Sequence, residues 1–158
     1  MEFSKLIADF AERFNIADLD AGDGSAMLEI DGMEISIVAD EPGDALVVAG
    51  VIGDPPPENA ATFADLLLQT NHDLLGTEGC GFAQNQESGA YVLILRLAQN
   101  GLDIDAFCKT LDSFVNKVES WRKLLADFRP AAQAAAEAGA EAKKEAASGF
   151  IGGGFMPV

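Results

Sequence analysis

Residues 27–39 read MLEIDGMEISIVA, and this stretch decides the fold. Asp31-Gly32 is a dipeptide favoured in two-residue hairpin turns, where both central positions must take positive φ. After it the side chains alternate. Met33, Ile35, Ile37 and Ala39 fall on one face, and Glu34, Ser36 and Val38 on the other. That period of two is the mark of a strand with one buried face, so Met27–Ile30 and Met33–Ala39 are predicted to pair as a hairpin. Val38 breaks the pattern by placing an apolar side chain on the polar face.

Outward toward the N-terminus, the period changes. Phe3, Leu6, Ile7, Phe10 and Phe14 lie on one stripe, which predicts an amphipathic helix over 3–14. A turn-forming stretch, Asp18–Gly24, joins it to the hairpin. In the other direction, Asp40–Asp44 turns the chain into a third strand, Ala45–Ile52, which is apolar on both faces. Asp54-Pro-Pro-Pro-Glu58 follows. Proline fits the first turn of a helix and constrains the residue before it, so a second helix is expected from Pro57 to Leu75. Its stripe is Ala60, Phe63, Ala64, Leu67, Asn71, Leu74 and Leu75, and Leu66 and Leu68 widen it. Gly76, Gly79 and Gly81 end it. Gly81–Asn85 and Ala90–Leu97 read as a second hairpin, whose second strand has Arg96 as its one polar residue. Asp103 can cap a last helix carrying Ile104, Phe107, Leu111, Phe114, Val118, Trp121 and Leu125 on one side.

The order α-β-β-β-α-β-β-α predicts an α+β domain over 1–129, an antiparallel twisted sheet packed by helices. Residues 130–158 differ. From Pro130 to Ser148 there is no large apolar side chain, and the end is glycine-rich, so this Ala/Gly-rich tail is expected to be flexible. Phe150, Ile151, Phe155 and Met156 are the anchors it would use if it were a docking peptide.

Charge bounds the partners. Residues 1–100 hold 18 acidic and three basic side chains, a net charge of −15, while 101–158 carry eight against seven. Such a chain repels nucleic-acid phosphates and anionic membrane surfaces. It favours basic partner segments. No run is long and apolar enough to span a bilayer, and no secretory signal pattern opens the sequence, so the cytoplasm is the expected compartment. Cys80 and Cys108 are then expected as thiols rather than a disulfide.

No chemistry emerges from the motifs. His72, the single histidine, has no nucleophile signature around it and is read as a helix-end residue. Asp18, Asp20 and Asp23 imitate part of a calcium loop, but its sixth position is Asp23 rather than Gly, so a solvated turn is the reading. Gly149–Gly154 lacks the strand and helix of a phosphate cradle. No catalytic residue, metal site or cofactor is assigned.

Three segments carry a family resemblance. They are the opening amphipathic helix, the run Phe63-Ala-Asp-Leu-Leu-Leu-Gln-Thr-Asn71, and Ala90-Tyr-Val-Leu-Ile-Leu-Arg-Leu97 followed by Phe107 through Leu125. Together they resemble the class I chaperones of bacterial type III secretion, the Tir-chaperone (CesT-like) family. The tail departs from that compact pattern. The resemblance implies a homodimer that is not an enzyme. It would bind the extended N-terminal segment of a secreted effector and keep it soluble and secretion-competent. A same-fold adaptor serving partners outside secretion is the alternative.

The residues themselves point toward a partner. Two strands apolar on both faces and a helix with surplus leucines need cover. A symmetric dimer supplies it, with Phe63, Leu66, Leu67, Leu68, Tyr91 and Leu93 as interface candidates. The second helix folding over the back of the sheet is the other solution. An extended client can add a strand to a free sheet edge. The hairpin 27–39 beside the first helix is the candidate edge. Leu6, Phe10, Leu28, Ile30, Met33, Ile35, Ile37 and Val38 are the client-binding candidates. Because the tail holds no core-type residues through Ser148, truncation after Phe128 is expected to leave a single cooperative unfolding transition. Thermal or urea melts of the two lengths check this, and a large stability loss would contradict it.

Overall fold

In a computed structural model of the chain, residues 2–17, 19, 21–40, 44–73 and 79–129 are described. The elements are α1 (Phe3–Phe14), a single 3-10 turn (Gly22–Gly24), β1 (Ser25–Ile30), β2 (Met33–Asp40), β3 (Ala45–Gly53), α2 (Ala60–Asp73), β4 (Cys80–Gln84), β5 (Tyr91–Ala98) and α3 (Ile104–Ala126). The expected order holds throughout. The helix end at Leu74 and Leu75, the breaker Gly76, the turn at 41–43, Asp18 and Asp20, and the tail with Phe150, Ile151, Phe155 and Met156 lie outside the described residues.

All five strands pair antiparallel in one sheet of order β1-β2-β3-β5-β4. Asp31 and Gly32 take φ of 51° and 70°, the left-handed pair that a two-residue turn matching strand twist requires. That turn fixes Ile30 opposite Met33, and the register then runs through Leu28–Ile35 to Ser25–Val38. Arg122 of α3 donates to the Gly32 carbonyl at 3.0 Å and ties the hairpin tip to the helix.

Both α1 and α3 lie on one face of the sheet. Leu6, Ile7 and Phe10 of α1 and Phe107, Leu111, Phe114 and Val118 of α3 are buried there, with Leu28, Ile35, Ile37, Leu46, Val48, Leu93 and Leu95 from the strands. Phe10 meets Phe107 edge to face at 5.7 Å between centroids, joining the two helices. Asp103 caps α3 by accepting from the Ala106 N–H at 2.7 Å, as its position before the apolar stripe predicts. The described residues up to Asp127 form one compact unit.

One detail corrects the sequence reading and another adds to it. The second helix starts at Ala60, not at Pro57. Asn59 donates to the Pro56 carbonyl and its own carbonyl accepts the first helical bond, from Phe63, so the prolines occupy a preceding turn. The other detail is Gly50, in the centre of β3. A Cβ there would sit 2.6 Å from Val118 Cγ2, 3.0 Å from Ile35 Cδ1 and 3.3 Å from Phe114 Cε1. The missing side chain lets α3 settle directly onto the sheet backbone. Gly50→Ala is therefore expected to destabilise the fold by about 1–3 kcal/mol through overpacking. Urea denaturation checks it, and an unchanged midpoint would refute the close approach.

Candidate functional site

A five-stranded open sheet has two edges, and each exposes backbone N–H and C=O groups that want partners. One edge is occupied. α2 packs beside β4, and the Asn71 carboxamide meets the Phe82 backbone from both sides. Its Oδ1 accepts from the Phe82 N–H at 2.8 Å and its Nδ2 donates to the Phe82 carbonyl at 3.1 Å. One side chain thus supplies the two bonds that an added strand would make at that residue.

The β1 edge differs. In a hairpin closed by a two-residue turn, the flanking pair Ile30–Met33 exchanges both backbone bonds, and so does every second pair after it. Ala26, Leu28 and Ile30 therefore bond inward to β2. Ser25, Met27 and Glu29 point their N–H and C=O groups outward, where no further strand lies in the sheet among the described residues.

Beside this edge runs a groove of about 470 Å³. Its walls are Phe10, Phe14 and Ile16 from the end of α1, Met27 to Ile30 of β1, and Cys108, Leu111 and Val115 of α3. The C-terminus of α1 builds one lip. Asn15 adopts φ 51°, and Ile16 folds back to donate to the Ala11 carbonyl at 2.9 Å. That left-handed cap turns Ile16 toward the groove beside Phe14, and Phe14 is 55% exposed. Met27, at 63%, is still more open. Exposed aromatic and thioether groups over an apolar floor set this groove apart from a closed core.

Charge frames the groove. Glu29 and Asp112 stand on its rim. Glu29 lies directly opposite Glu34 across the hairpin, a like-charge pair that is destabilising in such a position. At the far end Arg13 is paired with Asp105. Cys108 lines the wall between them. Burial pushes its thiol above the ordinary range, against the pull of Arg13, and keeps it protonated as a small apolar group. Cys80 is buried elsewhere, and no disulfide joins the two.

The sequence candidates distribute unevenly. Phe10, Leu28 and Ile30 line the groove. Leu6, Met33, Ile35 and Ile37 are buried in the core beneath it. Val38 is 42% exposed on the opposite face of the sheet, beside Met27 and Ser36 in a shallow depression. Among the interface candidates, Phe63, Leu67, Tyr91 and Leu93 are buried within the chain. Phe63 packs on Tyr91 at 5.6 Å, and the Tyr91 hydroxyl donates to the Ala60 carbonyl. Leu66 is half-buried and Leu68 is 65% exposed. His72 lies exposed in the last turn of α2. Sequence reasoning missed Ile16, Met27, Glu29 and Val115. Their residue types and spacing are those of ordinary helix and strand positions, and only the packing leaves them open.

Residues 5–122 match the family described as the Tir chaperone protein (CesT) family. No curated protein matches the chain. Among solved structures, a chain of the HopA1–SchA chaperone–effector complex is 19% identical over 77% of this chain and 93% of its own, with a TM-score of 0.65. A chain of the ExsC–ExsE complex is 20% identical over 77% and 91%, with a TM-score of 0.68. A chain of the ExoU–SpcU complex of the Pseudomonas aeruginosa type III secretion system is 18% identical over 78% and 98%, at 0.57. At these identities the likeness is one of fold.

Proposed function

Since the chain belongs to the Tir chaperone protein (CesT) family, we propose that it is a class I chaperone of type III secretion. In this reading it works in the cytoplasm, binds the extended N-terminal segment of a secreted effector and catalyses no reaction. The solved relatives favour it, since they are chains of a chaperone–effector complex and of a type III secretion complex. No described helix is long and apolar enough to cross a membrane.

One observation carries the mechanism. The β4 edge is capped by Asn71 at Phe82, while among the described residues the β1 edge is open and adjoins an apolar groove. An extended client laid along β1 gains backbone bonds to Met27 and Glu29 and drops alternate side chains into the groove. Backbone pairing gives affinity with little dependence on sequence, which suits a holder of an unfolded segment. The bound segment cannot collapse on itself or aggregate while its backbone and apolar side chains are engaged.

Met27→Pro tests this directly. Its N–H points outward and is not needed for pairing with β2, so a proline is tolerable on this edge strand but cannot donate to a client. The expected result is a folded variant that loses tenfold or more of its affinity for the N-terminal segment of a co-expressed effector. Retained capture by the folded variant would refute docking on β1.

The reading includes a homodimer and places its contact on the other flank. Leu68 and Leu66 of α2 carry the exposed leucine surface, next to a small depression lined by Leu67, Phe82 and Ala83. The expectation is light scattering at twice the 16.6 kDa chain mass, and a shift to monomer in Leu68→Asp with its far-UV spectrum unchanged. A wild-type monomer at micromolar concentration would refute the dimer. In the same reading, the folded domain spans 1–129 and the tail 130–158 is a separate appendage.

A further inference from the structure

The cross-strand carboxylates Glu29 and Glu34 have no role in holding the hairpin, and directly opposed they work against it. Neither is in an ion pair among the described residues. Arg13 is paired with Asp105, and Arg122 donates to the Gly32 carbonyl. Glu29 is also one of the β1 residues whose backbone faces the open edge, so a docked strand sets one of its residues directly opposite Glu29 and on the same face of the sheet.

We propose that the β1 edge selects client segments carrying a Lys or Arg at the position opposite Glu29, flanked on both sides by apolar residues. The proposal rests on the reading of β1 as the client's docking strand, and it adds the chemistry of the segment. Neighbours of the basic residue in the client strand point to the opposite face, into the groove of Phe10, Phe14, Leu111 and Val115. Two residues along, the client side chain lies opposite Met27, whose other neighbours are Ser36 and Val38 in a depression of about 310 Å³. That position takes an apolar or small residue. The preferred motif is therefore an alternating apolar strand with one cation, matched to a pair of carboxylates that have no ion-pair partner among the described residues. Asp112 on the groove rim adds to the same field.

The test uses the full chain and three fluorescein-labelled nine-residue peptides. Each alternates leucine with serine, and the central outward-facing residue is Lys, Ser or Glu. Fluorescence anisotropy at low salt is expected to rank them Lys, Ser, Glu, with about tenfold between the ends, because attraction to two carboxylates is exchanged for repulsion. Glu29→Lys is expected to reverse that order. Glu87→Lys, in the β4–β5 turn at the other side of the sheet, changes the net charge equally and is expected to keep it. Charge-blind binding, or equal effects of the two variants, would overturn the inference while leaving β1 docking intact. Failure of every peptide to bind would remove the docking reading, and the inference with it.

Discussion

The close approach of α3 to the sheet at Gly50 is the contact on which the other arrangements depend. With no Cβ in the way, Val118 and Phe114 rest on the backbone of the middle strand, so α3 is held over β3 rather than standing off from it. Helix α1 is then fixed against α3 through Phe10 and Phe107. Strand β1 lies two positions out from β3, at the margin of what the helices cover. The groove is the space left between that margin and the two helices. It is a consequence of packing two helices toward the centre of a sheet that is wider than they are.

Such a sheet carries a hazard. Free strand edges and exposed apolar side chains promote pairing with the wrong chain. The protein manages its two edges in different ways. Asn71 satisfies the Phe82 backbone at the centre of β4 with a pair of backbone-like bonds, which draws one polar side chain into a helix–strand contact. β1 is left bondable but is only six residues long and is flanked by carboxylates. The net charge of −16 extends that protection over the whole molecule by mutual repulsion between copies. Acidity thus complements stickiness: it discourages non-specific aggregation without blocking a chain of opposite charge.

Much of this was legible in the sequence. Element order follows from period-two and helical stripes, and the Asp31-Gly32 turn fixed the first hairpin to the residue. Packing was less legible. Leu6, Ile35 and Ile37 read as binding candidates because apolar helix and strand positions look alike whether they face a core or a partner. The same ambiguity put Phe63 and Tyr91 among the interface candidates, although each is buried in the chain, one against the other. Asn71 was read as part of an apolar stripe; its edge-capping role depends on β4 arriving eleven residues later in the right register. Gly50 carried a faint signal, an isolated glycine inside an apolar strand, whose meaning needs the helix above it.

The two apolar surfaces lie at opposite ends of the strand order, and that separation constrains how partners combine. β1 and β4 are four interstrand spacings apart, about 19 Å. A mate held through Leu68 of α2, beside β4, leaves β1 untouched in both copies. Dimerisation and client docking then do not compete for surface, and two β1 edges face outward from one assembly. A segment reaching both edges must cross at least twice the width of a sheet, on the order of a dozen extended residues at about 3.3 Å each. A folded client cannot satisfy that geometry with one contiguous strand. In the proposed dimer the layout would therefore favour a partner that is long and extended over one that is compact, for reasons of distance independent of the chemistry at either edge.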